Sequence, residues 1–361
     1  MRQCFSIGLF ALLVLSLPGC GGFRDTKPQL PGNLDTLCMP DYASGFEMYR
    51  YDSSTLLRIV NPWQGADSVS QWVFLSRDDE KPPKGFAGET IDVPVRRIVC
   101  MSSSYVAFLE ALGADSTICA ISGTGYIWSD KVRNRIAGGE IAEAGFDNSL
   151  NFEKLVALKP DVVFLYGLTG KNAVTDKLHE LGLKTVYIGD YVENNPLGRA
   201  EWITVFGEFT GRRELARTLF DSISNEYNRA KALVSGVEKR PEVMLNSPWQ
   251  DSWFVPGDRS YMVRLLEDAG GNYACRGVDS DQSRPISTET AFVAASQSDF
   301  WLSPGTVTSL AELNAMNPRF GSIPPVRNGN VYNNNARTTP EGGSDFWESG
   351  SAYPDRTLKD L

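Results

Sequence analysis

From Arg96 onward the chain alternates between two hydrophobic rhythms. Short runs that are apolar throughout, in RRIVCMSS, STICAIS, PDVVFLYG and LKTVYIG, are separated by YVAFLEALG, NFEKLVALK and AVTDKLHELG, where apolar residues return every three or four positions. Strands that are apolar on both faces need cover on both, and helices with one apolar stripe supply it. The pattern therefore predicts a parallel α/β lobe over 95–197. In 198–240 the rhythm becomes wholly helical: Trp202, Val205, Phe206 and Phe209, then Leu215, Leu219, Phe220, Ile223, Tyr227, Ala230 and Val234. Gly211 divides this stretch into linker helices, the second running from Arg212 to Ser235 and about 36 Å long at 1.5 Å per residue. After Pro241 the segments EVMLNSPW, SYMVRLLEDAGG, TETAFVAA, SDFWLS and NVYNNN restore the α/β rhythm and predict a second lobe over 241–361.

Two segments precede this frame. In 42–94 the runs FEMYRY, TLLRIV and QWVFLS alternate apolar with polar residues between turn signals, which predicts short antiparallel strands forming a small accessory segment. Residues 1–19 carry Arg2 and then an apolar stretch from Phe5 to Leu17 that is too short for a permanent membrane helix, the pattern of a signal peptide. Its end, Leu17-Pro18-Gly19-Cys20, resembles the lipobox of bacterial lipoproteins. That resemblance implies an acylated Cys20, a tether over 20–41 and a location in the cell envelope, on the periplasmic side of a membrane. Acyl chains anchor by burying methylenes at about 0.8 kcal/mol each.

Composition narrows the function. The chain has 361 residues, enough for two cores, and a formal charge of −9, which argues against nucleic acid, whose binders need cationic patches. A single histidine, His179, excludes a three-histidine metal site and leaves one candidate base for a catalytic triad. Its setting, VTDKLHELG, is that of a helix surface. No G-x-S-x-G occurs, which argues against an esterase-type hydrolase, and with one histidine no residue cluster is able to grip a naked ion, so neither a catalytic group nor a resident metal or cofactor is expected. Among the cysteines, Cys38, Cys100, Cys119 and Cys275 match no metal spacing. Cys100 and Cys119 fall on two strands of one unit, either as a disulfide or as buried thiols.

With a lipobox, two α/β lobes and one long helix between them, the chain resembles the class III substrate-binding proteins of ABC importers. This helical-backbone family serves ferric siderophores, haem and vitamin B12. The closest stretch is NFEKLVALKPDVVFLYG. The resemblance implies a monomer that holds its ligand between the lobes, tilts little because the helix is stiff, and docks on a permease and its ATPase. In the family a glutamate at each lobe tip meets permease arginines, and Glu153 and Glu289 stand at the matching positions. An acid in a first helical turn also answers the helix dipole, a role that can coexist with docking.

Ligands of open α/β sheets lie beyond the carboxyl ends of the strands. The loops there carry Tyr126, Trp128, Phe146, Tyr166, Trp249 and Trp253, rigid walls that suit a macrocycle or a catecholate. Arg284 and Arg337 are candidates to pair with an anionic chelate. Asp147 and Ser283 stand where vitamin B12-binding members have pocket tryptophans, which puts a ferric siderophore ahead of haem or cobalamin. An envelope hydrolase and a surface glycan-binding lipoprotein are the competing readings. The end of the chain, PDRTLKDL, looks like the start of a helix that the family continues, so an uncovered apolar surface is expected on the second lobe.

Overall fold

The computed structural model describes residues 34–361 apart from 147–148, 168–172 and 250–251, and of Trp249 only the backbone. The signal segment, Cys20 and the start of the tether lie outside the described residues. In the first lobe five parallel strands lie in the order Thr185–Tyr187, Val162–Leu165, Ile98–Cys100, Ile118–Ile121 and Ala142–Glu143. Ile98–Cys100 is central and buried, which is why it reads as an unbroken apolar run. Ser102 caps the helix Ser103–Ala111 that follows. Tyr105, in the first turn, sends its hydroxyl to the carbonyls of Leu165 and Ile188 at 3.1 and 3.0 Å, fixing the helix over the ends of two neighbouring strands.

The helix Ile203–Thr210 is buried along its whole length and ends at Gly211, whose φ of +70° is the left-handed cap that glycine adopts without strain. The long helix Arg213–Leu233 follows, with Ala216, Phe220, Ile223 and Tyr227 as its buried stripe. At Gly207 the two helices approach so closely that a Cβ would lie 2.5 Å from that of Ala216. The long helix reaches the second lobe through Asp268, which accepts from Tyr227 Oη at 2.8 Å and pairs with Lys231 Nζ at 2.7 Å.

The second lobe has four parallel strands, Asn272–Tyr273, Glu242–Leu245, Phe300–Leu302 and Val331–Tyr332. Beside them lies a small antiparallel sheet of Pro248–Trp249, Ser252–Val255 and Arg284–Ser287. Trp253, Trp301, Phe292 and Phe320 fill its core. Two parallel-sheet α/β lobes joined by one long helix are thus present, with departures from the sequence reading at the two ends of the chain.

The N-terminal strands are more than an appended segment. They form a five-stranded sheet over Asp35–Cys38, Phe46–Tyr51, Ser54–Val60, Ser70–Ser76 and Glu89–Asp92. Phe46, Leu57, Val73 and Ile91 share one core with Ile98, Tyr105 and Phe206 of the first lobe. Two buried carboxylates pin the lead-in: Glu201 accepts the amides of Asp41, Tyr42 and Ala43, and Glu193 those of Ser44 and Gly45. The Gln71 amide bonds Thr185 O and Tyr187 N, each at 2.9 Å, so a side chain continues the edge of the first-lobe sheet.

The end of the chain also differs. Helix Pro354–Asp360 packs on the long helix, and Ala352 and Leu358 enter the first-lobe core. The segment covers apolar surface instead of leaving it bare, and the second lobe, drawn to 361 from the rhythm alone, gives its last residues back to the first. Cys100 and Cys119 are free thiols on opposite faces of one sheet, in separate cores, which settles the cysteine alternatives in favour of thiols.

Candidate ligand-binding site

A cavity of about 200 Å³ lies at the carboxyl end of the first-lobe sheet. Its floor is Met101, Ser102, Ser103 and Ser104, the turn from strand Ile98–Cys100 into the following helix. Tyr166 and Tyr191 form one wall, 4.3 Å between ring centroids, and Trp347 faces them from the returning C-terminal segment. The Tyr191 hydroxyl donates to Gly167 O at 2.6 Å and accepts the Gln64 amide at 3.3 Å. The N-terminal sheet thereby reaches the rim, where Trp63 also lies against Tyr187.

Arg199, in the short helix Pro196–Glu201, supplies the charge. Its side chain is 9% exposed, and its Nε donates to Asp190 O at 3.1 Å. The rings of Tyr261 and Trp347 lie 5.0 and 5.6 Å from its Cζ, so cation–π attraction holds the guanidinium in place. Asp190 is fully buried behind it. Burial pushes this carboxyl above the usual range, with the Arg199 charge pulling the other way.

The returning segment is strapped to the first lobe. Glu348, 2% exposed, accepts the amides of Trp128 and Ser129 at 2.7 and 2.9 Å. Its pKa is pushed up to about 7 by burial, against which the two amides hold it down. Glu143 does the same for the neighbouring turn, taking the amides of Gly123, Thr124 and Gly145. Gly343 lies so close to this turn that a Cβ there would sit 2.0 Å from Tyr126 O.

The residues expected from the sequence divide accordingly. Tyr166 lines the cavity. Tyr126 and Phe146 are 43% and 48% exposed, meet edge to face at 6.1 Å, and sit on the turns beside the strap. Trp128 gives its amide to Glu348 and its ring to Arg133. Trp253 is a correction: it is fully buried in the second-lobe core, its Nε1 donating to Leu245 O, and forms no wall of a cleft. Arg337 pairs with Asp345 at 2.9 Å, and Arg284 lies on the small antiparallel sheet; neither lines the cavity. The Trp249 side chain lies outside the described residues.

Sequence reasoning missed Ser102 to Ser104, Tyr191, Arg199 and Trp347. A signal for the serines was present, three hydroxyls between an apolar strand and a helix. Arg199 carried none, because a cation inside PLGRAEW reads as helix surface.

Glu153 and Glu289 are exposed, each in the first turn of its helix. Capping there is done by Asn151 and Ser287, which accept the amides of Lys154 and Thr290. Among the described residues neither glutamate forms an ion pair. No helix among them is long and apolar enough to cross a membrane, and no cluster of three His, Cys, Asp or Glu could hold a metal ion. A larger, more open hollow of about 450 Å³ starts the long helix. Its cations are committed elsewhere, Arg77 and Arg213 to Glu208 and Arg212 to Leu112 O.

Residues 98–338 match the model of a family described as periplasmic binding protein. The chain is 26% identical to an uncharacterized lipoprotein of Methanocaldococcus jannaschii, covering 100% of this chain and 92% of the relative. Among solved structures it superposes on a periplasmic solute-binding protein of Staphylococcus epidermidis with a TM-score of 0.58 at 20% identity, covering 74% of this chain and 97% of the other. The periplasmic haem-binding protein of Vibrio cholerae gives 0.57 at 18% identity, covering 73% and 99%.

Proposed function

Because the chain belongs to the periplasmic binding protein family, we propose that it captures a metal chelate between its lobes and delivers it to the permease and ATPase of an ABC importer. It binds and does not catalyse, as the family and its solved neighbours do. The observation that carries the ligand site is the cavity beyond the strand ends, closed by Trp347 from the segment that leaves the second lobe. A ferric siderophore is the first candidate, with haem and cobalamin behind it. The cavity is smaller than the roughly 300–1,000 Å³ of most ligand sites, so in this reading it seats part of the chelate, and the exposed rings of Tyr126 and Phe146, which do not line it, are the candidates to meet the remainder.

Cys20 carries the lipid anchor in this reading, supported by the lipobox and by the name of the archaeal relative. Glu153 and Glu289 dock on the permease. They are exposed and, among the described residues, free of ion pairs and of capping duty, and separated carboxylates set orientation more than raw affinity. The test is titration of the full chain in detergent with ferric hydroxamate, ferric catecholate, ferric citrate, haem and cyanocobalamin, read by tryptophan fluorescence. Saturable binding of one chelate supports the reading, and a folded protein that binds none refutes it.

A further inference from the structure

Three aromatic side chains converge on the cavity from three separate parts of the chain. Tyr166 follows the strand Val162–Leu165, Tyr191 lies in the turn before the linker helices, and Trp347 comes from the returning segment. The tyrosine ring centroids are 4.3 Å apart and their planes are inclined by 42°, so the pair forms an angled wall. Trp347 is braced from its own side. Phe346 meets it edge to face at 4.7 Å, Tyr261 lies at 6.2 Å, and the Arg199 guanidinium rests 5.6 Å from its ring. Even so, Trp347 stays 43% exposed.

The polar groups around these rings are already engaged. Arg199 has the buried Asp190 carboxylate 3.7 Å from its Nε and the Tyr261 hydroxyl as a second partner, and Asp190 in turn sits against Ser104. Ser102 Oγ accepts the Ser104 amide as the helix cap. The Tyr191 hydroxyl is held by Gly167 O and the Gln64 amide. With its one cation balanced inside the protein, the cavity offers a ligand ring faces, the Met101 thioether and the uncharged Ser103 hydroxyl. Ring faces and thioethers both attract aromatic rings. An apolar cavity of roughly 150 Å³ holds one benzene molecule. A cavity of about 200 Å³ therefore holds one substituted aromatic ring and excludes a haem or corrin macrocycle.

We propose that Tyr166, Tyr191 and Trp347 clamp a single pendant aromatic ring of the ligand, recognising it by ring contact and not by charge. The inference rests on the cavity being the ligand site, and it narrows the ligand to a chelate with an aryl arm. Two sources share that chemistry: a phenolate or catecholate arm of a ferric siderophore, and the benzimidazole arm of a cobalamin.

The test is calorimetric titration of the full chain in detergent with ferric catecholate, ferric hydroxamate, ferric citrate and haem, and with cyanocobalamin beside dicyanocobinamide, which lacks the benzimidazole. A siderophore arm as source gives ferric catecholate bound at least tenfold more tightly than ferric hydroxamate or ferric citrate. A cobalamin arm gives cyanocobalamin bound at least tenfold more tightly than dicyanocobinamide. In either case Trp347→Phe, which keeps a ring face, holds the ligand within threefold of the wild type, while Trp347→Leu, apolar but without a ring, holds it at least tenfold more weakly. Far-UV circular dichroism checks that each variant keeps its fold. The clamp is overturned if the ligand bound is ferric hydroxamate, ferric citrate or haem, if dicyanocobinamide binds as well as cyanocobalamin, or if a folded Trp347→Leu binds within twofold of the wild type. In those cases the chelate-binding reading survives. Failure of every ligand to bind a folded protein overturns both.

Discussion

Replacing Glu348 by glutamine should invert the usual effect of removing a hydrogen-bonded carboxylate. Glu348 accepts two backbone amides, but it does so while 2% exposed, and burial lifts its pKa from the ordinary 4.5 to about 7. An acid with a raised folded-state pKa binds its proton more tightly folded than unfolded, so stability falls as pH climbs from 4.5 towards 7. That interval is ~2.5 pH units, and at about 1.4 kcal/mol per unit the wild type loses about 3 kcal/mol across it. Glutamine keeps an acceptor for one amide and has no charge to bury. The variant should therefore match the wild type, or fall slightly below it, at pH 5, and exceed it at pH 8 by about 2–3 kcal/mol. At roughly 2 °C per kcal/mol for a chain of this size, thermal unfolding should show a gap of about 4–6 °C at pH 8. Unfolding midpoints from pH 5 to pH 8 for both proteins decide it. Parallel profiles, or a variant less stable at pH 8, would refute the claim that desolvation outweighs the two amides.

Trp253→Ala empties the centre of the second lobe beside Trp301 and Phe320, and urea unfolding should show a loss of about 3–5 kcal/mol. Gly207→Val drives a side chain into Ala216, costing about 1–3 kcal/mol in the same assay, with no direct effect on the cavity. Glu153→Arg and Glu289→Arg should leave chelate binding by the purified protein unchanged while uptake by cells falls at least tenfold. Cys20→Ser should move the protein from the membrane fraction to the soluble one on cell fractionation.

Legibility followed periodicity. The strand Ile98–Cys100 and the stripe Ala216, Phe220, Ile223 and Tyr227 were readable because burial repeats at fixed spacing along one element. Phe46 and Leu57 were equally visible as apolar positions of strands, yet alternation says that a face is covered and not by what. Their union with the first-lobe core depends on Glu201, Glu193 and Gln71, polar side chains reaching across more than 100 residues. The same limit applies at the cavity. Tyr166 follows its strand directly and was found, whereas Arg199 and Trp347 arrive from a linker helix and the returning end of the chain. Trp253 was misplaced because an aromatic soon after a strand was read as a loop wall, when the segment makes a further strand that turns it inward.

The central claim is that a ligand occupies the cavity behind Trp347, and tryptophan quenching in the full chain and in Trp347→Ala tests it most directly. The chelate bound by the wild type should be held at least tenfold more weakly by Trp347→Ala, while Arg217→Ala, on the exposed face of the long helix, should bind as the wild type does. Unchanged affinity in a folded Trp347→Ala would place the ligand outside this cavity.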